Sequence, residues 1–397
     1  MASSGVSKIF NAPSGAVADV RIIDCTSRII RLPASFLLHP PLQGMQYMPD
    51  IPTWSFLIES PTTGKKALFD LGVPPNFLDF SPFNQDQLRN PAWEIRSEKH
   101  VADILKENQI DPARINSIVW SHWHFDHIGD PSTFPGSTEL VVGPGFKQTF
   151  YPGYPTIKDS PVRGSDFASV FLPFLAFSWS HWANHCRFHF DRGRETREIN
   201  FDEGPPLQIG QFKAMDFFGD GSFYLLDAPG HTVGHLAGLV RTTSDPDTFI
   251  FCGGDLCHHG GEIRPSRHLS LPKEIHVEFP DQVSPWICPG SELARLNKSR
   301  SRAEFEPFFI PNPEFCYDAE ETVRTIVKAQ EADADDNVLF IYAHSKAVER
   351  YAELFPLKAN QWKRKGWKSK MLWDFVRDFK VAVDAQSGGS AFNAAGE

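Results

Sequence analysis

The amino-acid sequence predicts a mixed α/β fold, because short apolar strands and amphipathic helices alternate along one chain. In the middle of the chain, a helical pattern at Ser97 to Asn108 is followed by apolar runs at Ile115 to Trp120 and Glu139 to Val142. Helix, strand, polar loop and strand in this order are typical of α/β proteins. The chain has 397 residues, 41% of them hydrophobic and 22% charged, which suffices for one large or two ordinary globular domains.

Composition and charge exclude several classes of function. The formal net charge of −10 argues against a nucleic-acid partner, because phosphate binding requires clustered Lys and Arg. No apolar run reaches the roughly 18 residues of a membrane span, and Met1 to Val20 lacks the apolar core of a signal peptide. The six cysteines form no Cys-x-x-Cys pair. We therefore expect a cytoplasmic protein whose partner is a small molecule; the sequence leaves its oligomeric state open.

The N-terminal half contains a series of predicted strands. Val20 to Asp24 and Ile29 to Leu32 are short apolar runs, and Thr53 to Glu59 pairs with Lys66 to Leu71 across a Gly-containing turn. The helix that follows has Ser97 as its predicted N-terminal cap.

The C-terminal half predicts a second group of strands and two helices. The strands expected there are a hairpin of Phe212 to Phe218 with Phe223 to Leu226, then Leu236 to Arg241, Thr248 to Phe251 and Val338 to Tyr342. The expected helices are Asp318 to Glu331 and Lys370 to Asp384. Residues 1–18 and 385–397 are rich in small residues, so we predict a single domain over 19–384 between two flexible tails.

Between these two groups of strands lies an aromatic-rich insert, Tyr151 to Glu203, without a clear strand pattern. We interpret it as a lid or wall over the active site whose aromatic side chains face an apolar or aromatic substrate. The insert also places His181, His185 and His189 at helical spacing. One face of a helix explains this spacing better than a further metal site does.

The strongest functional signal is the stretch Ser121 to Asp130, which contains the pattern His-x-His-x-Asp-His directly after a predicted strand. His122 and His124 are two residues apart, so in extended backbone both side chains point the same way and can bind one metal. Asp126 and His127 follow after the chain turns and can face a second metal. Imidazole nitrogen and carboxylate oxygen together suit Zn²⁺, with Fe or Mn as alternatives.

This motif resembles that of the metallo-β-lactamase superfamily. The resemblance implies a four-layer αββα sandwich, to which the insert is an addition, and three further ligands downstream in a fixed order. His231 in Pro-Gly-His, Asp255 in Gly-Gly-Asp and His344 in Tyr-Ala-His match those positions. The resemblance also implies that Asp70, in Asp-Leu-Gly, supports the site without binding metal. His235, in contrast, has no ligand counterpart in the family.

The ligand set and the resemblance together imply a reaction. Seven ligands of this kind hold two metals, which we expect to be Zn²⁺, and a hydroxide shared by the two metals attacks a substrate carbonyl. Asp126 is then both a ligand and the acceptor that orients the hydroxide and moves a proton.

Within the superfamily, the chain most resembles lactonase-like members, including N-acyl homoserine lactonases and their larger fungal relatives. In the lactonases a Tyr three residues after the bridging Asp contacts the substrate carbonyl, whereas here that position holds His258. Its imidazole can donate to an oxyanion, or it can be a polar loop residue together with His259. We therefore expect an enzyme that opens a lactone, a lactam or a related cyclic or activated ester. A thioesterase acting on an acyl-thioester and a non-catalytic metal- or ligand-binding protein are the alternatives.

Overall fold

The structure is a computed structural model that describes residues 10–168 and 193–393. Its strands are β1 (Asp19–Ile30), β2 (Leu38–His39), β3 (Ile51–Glu59), β4 (Lys66–Phe69), β5 (Glu94–Arg96), β6 (Ser117–Val119), β7 (Glu139–Val142), β8 (Thr196–Glu198), β9 (Gln208–Ile209), β10 (Phe212–Asp216), β11 (Phe223–Asp227), β12 (Leu236–Ser244), β13 (Asp247–Cys252), β14 (Glu274–Val277), β15 (Trp286–Pro289), β16 (Ile310–Pro311) and β17 (Val338–Ile341).

Most of these strands belong to two large sheets. The first sheet has seven strands in the order β5-β1-β3-β4-β6-β7-β8, and the second has six in the order β17-β13-β12-β11-β10-β9. In the first sheet β4, β6, β7 and β8 run parallel, and in the second β13 and β17 run parallel. Strands β14 and β15 pair separately, as do β2 and β16. Each of the two large sheets is thus built by strands from one half of the chain.

Helices flank both sheets and fill the connections. The α-helices are α1 (Ala34–Leu37), α2 (Pro82–Leu88), α3 (Val101–Glu107), α4 (Phe125–Ile128), α5 (Phe146–Phe150), α6 (Gly290–Ser299), α7 (Ala319–Ala334), α8 (Lys346–Tyr351), α9 (Trp367–Met371) and α10 (Lys380–Asn393). Short 3₁₀ helices span Phe77–Asp79, Pro112–Arg114, Pro131–Thr133, Gly164–Phe167, Gly260–Glu262 and Asp374–Phe379. Across the described ranges, we find no helix with the length and hydropathy that a bilayer span requires.

Three apolar clusters order these elements into layers. One cluster lies between the two sheets. The outer face of the first sheet packs, through residues such as Leu68, against Leu105 of α3. The outer face of the second sheet packs, through residues such as Phe251, against Ile326 of α7. The order helix, sheet, sheet, helix confirms the predicted αββα sandwich.

Burial explains why the strand patterns differ. Strand β3 is buried at eight of its nine residues because other layers cover both of its faces, and its sequence is therefore apolar almost throughout. Strand β1 alternates between buried and half-buried positions along most of its length. The predicted run Val20 to Asp24 and the first two residues of the run Ile29 to Leu32 are parts of this one strand. Its register with β3 shifts between Asp24 and Arg28.

Two helix predictions need correction. Ser97 does not cap α3, which begins at Val101; the Ser97 hydroxyl donates instead to the carbonyl oxygen of Val73 at 2.6 Å. The helix predicted over Lys370 to Asp384 is divided into the end of α9, a 3₁₀ segment and α10. In the 3₁₀ segment the carboxylate of Asp374 accepts hydrogen bonds from Arg350 and Tyr351. The helix predicted at Asp318 is confirmed, because the Asp318 side chain caps α7.

Packed residues and helical structure extend beyond the predicted domain limits of 19 and 384. Phe10 is buried against Phe251, and the backbone N–H of Ala18 donates to the carbonyl oxygen of Arg241. At the other end, α10 continues to Asn393. The predicted limits of the domain are therefore too narrow at both ends.

The predicted insert 151–203 is described at 151–168 and 193–203. Its histidines His181, His185 and His189 lie outside the described residues, so the helix predicted for them stays a prediction. Within the described part, Phe167 is buried and packs against Trp120. This aromatic residue therefore belongs to the core of the first sheet rather than to an active-site wall.

Candidate metal centre

All seven predicted metal ligands converge at one edge of the sandwich, beyond the ends of β6, β11, β13 and β17. They form two groups, in each of which one potential ligand atom per side chain lies within 4.8 Å of the others. The groups are His122, His124, His231 and Asp255 on one side, and Asp126, His127, Asp255 and His344 on the other. Such clusters are suited to a dinuclear metal site.

Asp255 is the residue that the two groups share. Its Oδ2 atom lies 3.6 Å from Nε2 of His122 and 3.6 Å from Nε2 of His231. Its Oδ1 atom lies 3.1 Å from Nε2 of His127 and 3.0 Å from Nε2 of His344. One carboxylate oxygen thus faces each group, as in a carboxylate that bridges two metals.

The backbone explains how one short stretch serves both groups. His124 is extended, with φ −64° and ψ 149°, and α4 begins at the next residue, Phe125. His122 and His124 therefore precede the turn, whereas Asp126 and His127 lie on the first helical turn after it. The sequence predicts this division from residue spacing alone.

The site contains buried ligand atoms that form no hydrogen bond within the described part of the chain, although Nε2 of His127 and Oδ1 of Asp255 lie only 3.1 Å apart. Nε2 of His122, Nε2 of His127 and Oδ1 of Asp255 are buried without a hydrogen bond among the described residues. Nε2 of His231 and Nδ1 of His124 face each other at 3.1 Å. Buried polar atoms normally have hydrogen-bond partners. A bound cation would supply the partner that these atoms lack. Their imidazole and carboxylate chemistry suits Zn²⁺.

The protonation of the histidines also fits metal binding. Burial lowers the pKa of His124 to about 4 and holds the pKa values of His122 and His231 well below their usual range. These imidazoles are therefore neutral near pH 7 and can offer a lone pair. Burial alone would lower the pKa of His127 too, but Asp255 and other nearby carboxylates outweigh it and raise that pKa well above its usual range. The second group thus favours a positive charge.

Asp70 contacts one metal ligand, His127, directly and a second, His122, through Ser121. Its Oδ2 atom lies 2.9 Å from Nδ1 of His127, and its Oδ1 atom accepts the backbone N–H of Ser121 at 2.7 Å. The Ser121 hydroxyl donates to Oδ2 of Asp70 and lies 3.0 Å from Nδ1 of His122. Asp70 therefore fixes His127 with its Nδ1–H toward the carboxylate and its Nε2 toward Asp255.

His235 holds the backbone of the bridging residue. Its Nδ1–H donates to the carbonyl oxygen of Ala228 at 2.9 Å, and its Nε2 accepts the backbone N–H of Asp255 at 3.1 Å. Gly254 has φ +53°, and a Cβ there would lie 2.9 Å from Cβ of Ser121 and 3.0 Å from Nε2 of His235. Glycine is therefore required before Asp255, both for its backbone conformation and for its closeness to these side chains.

His258, the predicted substrate-contacting residue, lies beside the metal ligands. Its Nε2 atom is 3.5 Å from Oδ2 of Asp255. Glu262, which is 1% exposed, lies behind it and accepts the backbone N–H groups of His258 at 2.6 Å and His259 at 3.0 Å. Burial raises the pKa of Glu262, although the charge of His258 opposes this. Sequence reasoning missed Glu262, because a single Glu after Gly-Gly carries no recognised motif.

His259 has a different environment from its neighbour. Its Nε2 atom lies 3.2 Å from Oδ2 of Asp378, and its Nδ1 accepts the backbone N–H of Gly261. Its ring packs against Phe309 and Phe375. Among the two adjacent histidines, His258 therefore faces the metal ligands, and His259 holds the C-terminal segment in place.

A cavity of about 610 Å³ opens over the ligands and is lined by His124, Asp126, His231, Asp255, His258 and His344. Its aromatic lining comes from Phe36, Trp93, Trp123, Phe125, Phe315 and Tyr317. No described residue of the insert lines this cavity. In the described part of the chain, the wall is instead built by residues from segments 29–37, 86–93 and 314–317, which the sequence did not indicate as cavity lining.

Comparisons with known proteins identify the family of this chain. A family model described as the metallo-beta-lactamase superfamily matches residues 48–253. The gamma-lactamase FDB1 of Fusarium pseudograminearum (strain CS3096) is 38% identical over 374 residues, which cover 92% of this chain and 83% of that protein. The metallo-hydrolase mfmC of Annulohypoxylon moriforme is 37% identical, over 93% of this chain and 89% of that protein.

A solved structure shares the fold. It is an N-acyl homoserine lactone hydrolase with the product N-hexanoyl-L-homoserine bound at the catalytic metal center, matched with a TM-score of 0.50. The match covers 86% of this chain and 99% of that chain at 16% sequence identity. At this sequence identity, the match supports the shared sandwich architecture alone.

Proposed function

Because this chain belongs to the metallo-β-lactamase superfamily and is a metal-dependent hydrolase, we propose that it holds two Zn²⁺ and opens a lactone, a lactam or a related cyclic or activated ester. The observation that carries this proposal is the position of Asp255, with one oxygen toward each ligand group. His122, His124 and His231 would hold the first metal, and Asp126, His127 and His344 the second.

The chemistry follows from these positions. Two bound Zn²⁺ would supply an activated water near neutral pH and would polarise a substrate carbonyl. Oδ2 of Asp126 lies 3.6 Å from Nε2 of His344 and 3.8 Å from Nε2 of His127, at the floor of the cavity. There it can accept a proton from the attacking water and deliver it to the leaving group. The imidazole of His258 can donate a hydrogen bond to the developing oxyanion.

Relatives and cavity support the choice of substrate. One relative is named a gamma-lactamase, and a protein of the same fold is described as an N-acyl homoserine lactone hydrolase. The cavity floor carries the ligands, while aromatic and aliphatic side chains such as Phe36 and Leu32 line its wall. A compact cyclic carbonyl compound with an apolar body fits this arrangement.

The proposal is tested by turnover of matched substrates by protein with full metal content. A lactone, a lactam and an acyl-thioester of the same acyl skeleton are compared by kcat/KM. We expect one of the two cyclic compounds to be opened fastest. A preference for the thioester would favour the thioesterase alternative, and no turnover of any of them would favour a non-catalytic binding protein.

A further inference from the structure

The cavity over the metal ligands has an uneven distribution of charge. Among the described residues that line it, there is no Lys or Arg. Asp86 on α2 and Glu314 before α7 line it, and both are exposed. Neither carboxylate forms an ion pair with another described residue, so both leave their negative charge at the outer part of the cavity.

The aromatic side chains beside these carboxylates add to this character. The ring centroids of Phe36 and Phe315 are 3.6 Å apart, and those of Phe36 and Trp93 are 5.5 Å apart. Tyr317 is 75% exposed in the same wall. The faces of such rings carry partial negative charge and attract cations and polarised N–H groups.

The floor of the cavity has the opposite character. Two divalent metals there would outweigh the carboxylates of Asp126 and Asp255, so the floor would be net positive. A substrate carbonyl oxygen is therefore attracted to the floor, and the far end of the substrate meets carboxylates and ring faces. The cavity can thus orient a substrate by its charge distribution as well as by its shape.

We infer that this cavity selects carbonyl compounds whose far end is a neutral aromatic or cationic group, and that it rejects those with a carboxylate or phosphate there. The inference rests on the proposed function for the position of the carbonyl. Asp86 and Glu314 are its specificity-determining residues. Acyl-thioesters whose carriers bear phosphates are disfavoured on the same ground, whereas amine-bearing lactones and lactams are favoured.

The test uses three phthalides, which are benzo-fused lactones, with a methyl, an aminomethyl or a carboxylate group at the same ring position. Wild-type protein with full metal content should turn over the aminomethyl compound faster than the carboxylate. At low salt, each unscreened cavity carboxylate is expected to contribute about fivefold to this ratio of kcat/KM. The ratio should shrink as salt approaches about 1 M, where the Debye length falls to roughly 3 Å.

Charge reversal identifies the residues responsible. The double variant Asp86→Lys, Glu314→Lys should invert the preference between the amine and the carboxylate. The matched control is Glu278→Lys, Asp281→Lys, which makes the same change of charge at two exposed residues that do not line the cavity. Equal ratios in the cavity variant and the control, or an equal rate for all three compounds with the wild type, would overturn the inference.

Binding measurements separate this inference from the proposed function. Calorimetric Kd values for the amine and carboxylate phthalides do not require turnover. If the protein binds the amine more tightly but opens no phthalide, lactam or thioester, the hydrolase proposal fails and the charge preference stands. If it opens the phthalides without regard to charge, the preference fails and the hydrolase proposal stands.

Discussion

Asp70→Asn tests whether Asp70 orients a metal ligand or is an ordinary buried carboxylate. The Asn side chain has almost the same shape, and its oxygen can keep the 2.7 Å hydrogen bond from the backbone N–H of Ser121. Its NH₂ group then replaces Oδ2, which lies 2.9 Å from Nδ1 of His127. Two donors would face each other there unless His127 moves its proton to Nε2.

The expected loss of metal affinity follows from the lone pair on Nε2 of His127, which that proton would occupy. Nε2 of His127 is the atom that faces Asp255 at 3.1 Å, and a protonated Nε2 has no lone pair for a metal. Loss of such a supporting partner typically reduces metal affinity or activity by about 10- to 100-fold. We expect the larger loss at the second metal, because Asp70 contacts His127 directly and reaches the first-metal ligand His122 only through the Ser121 hydroxyl.

Competition with a chromophoric chelator measures the two Zn²⁺ affinities of wild type and variant separately. The matched control is Asp166→Asn, which changes another buried carboxylate, one that pairs with Arg163 at 2.7 Å. The control should lower stability but bind both metals as the wild type does. Unchanged affinity for the second metal in Asp70→Asn, with unchanged turnover, would refute the tautomer argument.

Three further predictions follow from the same structure. His122→Ala should lose the first metal and Asp255→Ala both, each with loss of activity; elemental analysis that finds wild-type metal content in either variant would contradict the ligand assignment. Asp126→Asn should fold normally but, at matched metal occupancy, lose about 10²- to 10⁴-fold in turnover, and a near wild-type rate would exclude Asp126 as the proton acceptor. Burial lowers the pKa of Lys368 to about 8 from the ordinary 10.5. Between these pH values the unfolded chain therefore binds more protons than the folded chain. The contribution of Lys368 to the free energy of unfolding rises with pH across this range, by about 3 kcal/mol. Denaturant titrations of wild type and Lys368→Met across this window should diverge accordingly, and parallel curves would show that the folded state does not depress this pKa.

The metal centre could be foreseen because its signal is local. His122 to His127 lie within six residues, and the remaining ligands directly follow apolar runs that the chain must place in the sandwich. Their convergence depends on the strand order, which the resemblance supplied rather than the residue pattern. The role of Asp70 was foreseen in the same way, whereas its contact with Ser121 is visible only in the structure.

The cavity wall could not be foreseen, because its parts are distant in sequence and have no common pattern. Phe36, Trp93 and Phe315 meet only after α1, the loop between α2 and β5, and the loop before α7 have packed together. The aromatic density of the insert placed the predicted wall at residues 151–203, of which the described ones do not line the cavity. Its Phe167 packs in the core, since a large apolar side chain is buried wherever a neighbouring layer covers it.

We propose that this hydrolase acts through two metals that share the carboxylate of Asp255. This dinuclear mechanism is tested by titrating metal-free protein with Zn²⁺ and following turnover of a lactone and of the matching lactam at each step. Activity is expected to rise until two equivalents per chain are bound and to be lost again on chelation. Full activity at one equivalent, or activity that survives complete removal of metal, would contradict the claim.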